Sequence, residues 1–156
     1  MSLLSNCSDV AFKWLSSVEI DSYGSNQHEL HGAVAFKQIF GPQRTYLRGT
    51  LHYVTANQTT SFDTELTWYD AREYNPNRSE YRLYYTYPIS QFKPQVDDLL
   101  IVSQDNTGAV VIIIVSDTQI KNAVLSGRSL FKDYTYANGS SYYGNQQAVS
   151  FLQNIL

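Results

Sequence analysis

Hydrophobic and polar residues alternate with a period of two over much of the chain. Across 46–55, Tyr46, Arg48, Thr50, His52 and Val54 fall on one face, with Leu47, Leu51 and Tyr53 among the other set. That pattern predicts a half-buried strand. After a polar turn at 56–60, Phe62, Thr64, Leu66 and Trp68 alternate with Asp63, Glu65, Thr67 and Tyr69, and the two runs read as a hairpin. Segments 98–103 and 109–116 flank the polar loop 104–108, which has the length and chemistry that join antiparallel strands; this pair is the expected apolar centre. Residues 9–17 form a shorter strand-like run, and the polar, turn-rich stretch 21–28 is expected to protrude as a loop or arm.

Two helices are predicted near the C-terminus. Asp117 can accept the free N–H groups of a first turn, and Gly127 can end a helix running through Leu125. A second helix covers 145–156. Between them, 133–144 is rich in Tyr, Gly, Ser and Asn, a linker-like composition. The expected organisation is a domain over 1–132, then a linker-like segment and C-terminal helix over 133–156, leading toward a catalytic domain outside this chain.

Composition sharpens the class. A chain of 156 residues can bury one substantial core, and its 13 Tyr favour pleated surfaces, so a mostly β fold (β-rich α+β) with short helices is expected. The single Cys7 allows no internal disulfide, and the start of the chain lacks the basic and apolar pattern of a secretory signal, so a cytoplasmic protein is expected. The longest apolar run, 109–115, is far short of the ~20 residues of a spanning helix, so no membrane association is expected. The scattered glycines form no phosphate-binding loop, and no cofactor is expected. A net charge of -3 argues against a protein that holds nucleic acid by broad electrostatics. Any DNA contact must be local and geometric.

One stretch offers such chemistry. In a strand over 78–85, Arg78, Glu80, Arg82 and Tyr84 share a face. An Arg fork matches the O6 and N7 acceptors of guanine, and a Glu carboxylate can accept from the amino group of cytosine. Arg72, Arg78 and Arg82 are offset by Asp70, Glu73 and Glu80, leaving the segment near neutral. The preceding turn, Tyr74-Asn75-Pro76-Asn77, would lift the strand's start out of the sheet. Cross-strand ion pairing on a solvated face is the competing fate of these charges.

Three runs, Thr64-Glu65-Leu66-Thr67-Trp68-Tyr69-Asp70-Ala71-Arg72, Arg78-Ser79-Glu80-Tyr81-Arg82-Leu83-Tyr84-Tyr85 and Asp98-Leu99-Leu100-Ile101, resemble the DNA-recognition domain of EcoRII-type and BfiI-type restriction endonucleases. Ser25-Asn26-Gln27-His28-Glu29-Leu30 is similar to the N-terminal arm of those domains. The resemblance implies an open β-barrel, the DNA-binding pseudobarrel shared with plant auxin-response transcription factors, in which two arms grip the major groove. It implies base reading by Arg78, Glu80 and Arg82, supported by Asn77 and Ser79. It implies an opposing arm formed by Lys13, Ser25, Asn26, Gln27 and His28, with phosphate contacts from Lys13, Lys37 and Arg72. The implied function is sequence-specific binding of double-stranded DNA at a G·C-containing site related to CCGG or CCWGG. The chain would be the non-catalytic effector or target recognition domain of a bacterial restriction-modification enzyme, with a nuclease domain elsewhere in the full-length chain or in a partner chain.

Two other classes remain open. Asp70 with Glu80-x-Arg82 loosely imitates the carboxylates of a metal-dependent nuclease, although Arg stands where a Lys able to shift its pKa is usual. Tyr84, Tyr85, Tyr87, Tyr142 and Tyr143 could instead furnish the stacking surface of a carbohydrate-binding module. His28 and His31 miss the four-residue spacing of a helical zinc pair, and Cys7 has no basic neighbour to activate it.

Overall fold

The computed structural model describes residues 2–20, 29–74, 79–86, 93–136 and 139–156. Nine strands form one sheet in the order β2-β5-β4-β3-β7-β6-β1-β9-β8. They are β1 (Val10–Trp14), β2 (Glu29–His31), β3 (Thr45–Val54), β4 (Thr59–Asp70), β5 (Tyr81–Tyr85), β6 (Leu99–Gln104), β7 (Val110–Val115), β8 (Phe131–Tyr136) and β9 (Gly139–Gly144). Three helices accompany them: α1 (Val34–Phe40), α2 (Thr118–Ser126) and α3 (Gln146–Gln153). The protein is mostly β, with an open, curled sheet shaped as a half-barrel.

The curl follows from connectivity. Two residues, Gly32 and Ala33, join edge strand β2 to α1, yet α1 packs against β1 and β9. β1 lies six places from β2 in the sheet order, roughly 29 Å away in a flat sheet with strands about 4.8 Å apart. A seven-residue helix spans only about 10 Å. The sheet therefore bends around α1, burying Ala35 and Phe36 with Leu51, Trp68, Leu83, Tyr85, Leu100 and Ile112 on its inner face.

The outer face of the β1–β6–β7 half is covered separately. Val10, Phe12, Leu99, Ile101, Ile113 and Val115 pack with Val124 of α2 and Ala148, Val149 and Leu152 of α3. Strands β6 and β7 are thus covered on both faces, which explains their unbroken apolar runs. The expected hairpins appear as β3–β4 and β6–β7, each antiparallel. A parallel β3–β7 pairing joins the two halves.

Asp117 caps α2 by accepting from the Ile120 amide at 2.8 Å, and Gly127 ends it, as expected. The linker expected over 133–144 is corrected: its described residues belong to β8 and β9, and β9 pairs with β1. The expected boundary at 132 therefore falls inside β8. Of the glycines there, Gly144 serves close packing. A Cβ on Gly144 would collide with Ala148 and Phe131, while Tyr142 stacks on Phe12 with centroids 4.7 Å apart. The C-terminal helix is part of this same core through its three buried residues. Helix α1 and strand β2 were not expected. Cys7, expected at a loose terminus, is buried and bridged to Asp105, and burial pushes its thiol pKa up.

Candidate nucleic-acid interface

Strands β2 and β5 run antiparallel side by side, with Glu29 opposite Tyr84 and His31 opposite Arg82. Each adjoins one of the two segments expected to act as arms. The arms expected over 22–30 and 72–82 run into β2 and β5 respectively. Of the expected DNA-contacting residues, Ser25, Asn26, Gln27, His28, Asn77 and Arg78 lie outside the described residues.

The stem of the first segment converges on one carboxylate. Glu19 accepts from the Ser16 amide at 2.9 Å, the Ser16 hydroxyl at 2.8 Å and the His31 amide at 2.8 Å. Its Oε2 also lies 2.7 Å from Lys13 Nζ, and both side chains are enclosed. Four partners saturate Glu19, so a buried charge is held without an orphaned lone pair. Lys13, expected to touch phosphate, is committed to this pair. The Ser16-to-Glu19 spacing is a capping box visible in the sequence.

The stem of the second segment is closed in a similar way. Asp70 Oδ1 accepts from the amides of Arg72 at 2.9 Å and Glu80 at 2.8 Å, while the Ala71 amide donates to the Glu80 carbonyl at 2.7 Å. These bonds close the neck of the 71–80 loop and bring Arg72, Glu80 and Arg82 together. Arg72 Nε donates to Glu80 Oε2 at 2.7 Å, and Arg82 Nη2 donates to Glu80 Oε1 at 2.6 Å. The two guanidinium bonds, Arg72 first, hold the Glu80 carboxyl down at about 2. Arg82 Nη1 also faces Glu29 Oε2 at 3.6 Å. Its Nε is buried without a hydrogen-bond partner among the described residues.

Sequence reasoning missed the outer members of this cluster. Tyr69 donates to Glu29 Oε2 at 2.7 Å, and its phenol is pushed up to about 12, by burial first and by Glu29 second. Arg44 lies over the Tyr69 ring and pairs with Glu73 at 3.2 Å. Glu29 joins this group only through the β2–β5 register, which no local pattern in the sequence announces.

Beside the cluster lies a cleft of about 420 Å³ between the end of β2 and Ser79 to Tyr81, with Lys37 on its wall. It adjoins a second cleft of about 490 Å³ that shares His31 to Val34 and reaches Lys13 and Tyr134. Lys37 Nζ sits 4.9 Å above the Tyr81 ring. Trp68 underlies this wall: it stacks on Tyr81 and its Nε1 donates to the Gly41 carbonyl at 2.8 Å.

Among residues considered for other chemistries, Tyr85 and Tyr142 are buried in the two cores, and Tyr87 lies outside the described residues. Asp70 and Glu80 are engaged by amides and guanidiniums as given above, and no group of three His, Cys, Asp or Glu side chains is arranged to hold a metal ion among the described residues. No described helix is long and apolar enough to cross a membrane. No family model matches the chain. No curated protein matches it by sequence.

Proposed function

We propose that this chain is a sequence-specific double-stranded DNA-binding module of the pseudobarrel type, with 22–30 and 72–82 as two arms that enter the major groove. In this reading it is the effector or target recognition domain of a type II restriction endonuclease, and a nuclease domain elsewhere performs cleavage. The juxtaposition of the two stems supports the proposal. β2 and β5 are hydrogen-bonded neighbours, an Arg-Glu-Arg cluster stands at the neck of one stem, and a cleft runs alongside.

From Glu29, opposite Tyr84, to Ser79 is a path of about five residues. At roughly 3.3 Å per residue the roots stand on the order of 15–20 Å apart, a span comparable to the ~12 Å major groove plus its walls. Arg78 and Arg82 offer forks for guanine, and Arg72 and Lys37 offer phosphate contacts that set register. Lys13 supports the first arm from beneath through Glu19.

A selection from randomised duplexes, with and without magnesium, tests the proposal. Enrichment of a short G·C-containing motif with intact DNA is the expected result. Absence of any enriched motif overturns the proposal, and cleavage by the chain itself favours the nuclease alternative. Replacement of Arg78 by Ala is expected to cost about 1–3 kcal/mol and relax preference at one base pair.

A further inference from the structure

The Glu80 carboxylate stands between two arginines. Its two oxygens each receive one guanidinium N–H, from Arg72 at 2.7 Å and from Arg82 at 2.6 Å. These separations match those of an arginine bound to an anionic oxygen of nucleic acid. The second Nη of Arg82 faces another carboxylate, Glu29. Each arginine of the cluster therefore already has an internal anion.

Resting on the DNA-binding reading above, we propose that Glu80 is a specificity-determining counter-anion, an internal stand-in for phosphate that keeps Arg72 and Arg82 from binding DNA of arbitrary sequence. A random duplex that takes these arginines must first displace Glu80, so one anion replaces another and little is gained. At the cognate site, contacts to base edges add to the exchange and make it favourable. Because both guanidiniums hold the Glu80 carboxyl at about 2, the stand-in stays charged at every pH at which DNA binding would be measured. Glu80 would then act on specificity by excluding phosphate rather than by accepting from cytosine.

Glu80→Gln keeps the size of the side chain and removes its charge. Asp133→Asn, on β8, removes the same charge from an exposed side chain that bonds Thr135 and is not a member of the Arg72-Glu80-Arg82 cluster. Binding of the full chain to a random-sequence duplex and to the selected motif is measured over a range of salt. Glu80→Gln is expected to tighten random-duplex binding on the order of five-fold at low salt and to steepen the salt slope by about one, as one more phosphate is engaged. Asp133→Asn should do neither. A damaged fold cannot produce such a gain. Loss of base-pair preference without a gain on random duplex, or an equal gain in both variants, overturns the counter-anion role while leaving DNA recognition standing. If the wild-type chain selects no motif and neither variant binds duplex, the DNA-binding reading falls, and this inference with it.

Discussion

Lys13 Nζ lies 2.7 Å from Glu19 Oε2 in an enclosed ion pair that joins β1 to the turn leading into the first arm. The same oxygen accepts the His31 amide, so one carboxylate fastens both ends of the chain around 21–28. Breaking a buried pair leaves the surviving charge uncompensated. Lys13→Met is therefore expected to destabilise the protein by about 3–5 kcal/mol. Urea unfolding with an unchanged m-value would register this as a lower midpoint; a loss below about 1 kcal/mol would show that the pair behaves as a surface contact.

Stability should fall in acid in two separate ranges. Burial lowers the pKa of both His31 and His52 below the ordinary 6.5. The unfolded chain then takes up these protons first, so the contribution is fully present above about 6.5 and is lost as pH falls toward the folded values. Glu80, held at about 2 against an ordinary 4.5, contributes above 4.5 and loses that contribution as pH falls toward 2. Unfolding midpoints measured from pH 7.5 downward should show a shallower decline near pH 6 in His31→Asn than in the wild type. Identical slopes would exclude His31 as a source.

Much of the architecture was legible because it rests on short-range pattern. Period-two alternation gave β3 and β4, and Asp117 with Gly127 bracketed α2, because strand facing and helix capping are local properties. The errors came where composition was read without partners. Residues 133–144 carry the Gly, Ser and Tyr of a loop, yet Tyr142 to Gly144 pair with β1, where Gly144 admits Ala148 and Tyr142 stacks on Phe12. At the candidate site, the Glu80–Arg82 pair followed from a spacing of two, whereas Arg72 reaches Glu80 from eight residues away across the neck of the loop and Arg78 lies outside the described residues. That Glu29 belongs to Arg82 depends on strand register over a long sequence separation, and that Lys13 belongs to Glu19 depends on how the chain turns between them, neither of which a local pattern encodes.

Gly32 sets how closely β2 approaches the wall of the cleft. A Cβ there would stand 2.7 Å from both the Trp68 ring and the Tyr81 Cβ. Gly32→Ala is expected to cost about 1–3 kcal/mol by overpacking and to change the ring packing of Tyr81. Thermal unfolding together with near-ultraviolet circular dichroism checks both effects; an unchanged melting midpoint would mean that β2 shifts freely.

Trp68 anchors the arm from inside, with no exposed surface and its indole N–H on the Gly41 carbonyl. Trp68→Phe removes that donor and part of the ring, and a loss of about 1–3 kcal/mol is expected from the unsatisfied carbonyl and the space left behind. In Trp14→Phe, which leaves Trp68 as the sole tryptophan, fluorescence should be poorly quenched by iodide. Strong quenching would place the ring at the surface.

The saturation of Glu19 separates holding from reading. Its bonds among the described residues use the Ser16 amide and hydroxyl, the Lys13 ammonium and the His31 amide, all of which flank 21–28 in sequence. The letters of that stretch can therefore be exchanged while the brace beneath them stays whole, as interchangeable type is set in a fixed frame. A library randomised at 25–28 should contain many members that melt at the wild-type temperature, and under the proposed DNA-binding function new duplex preferences should be selectable from it.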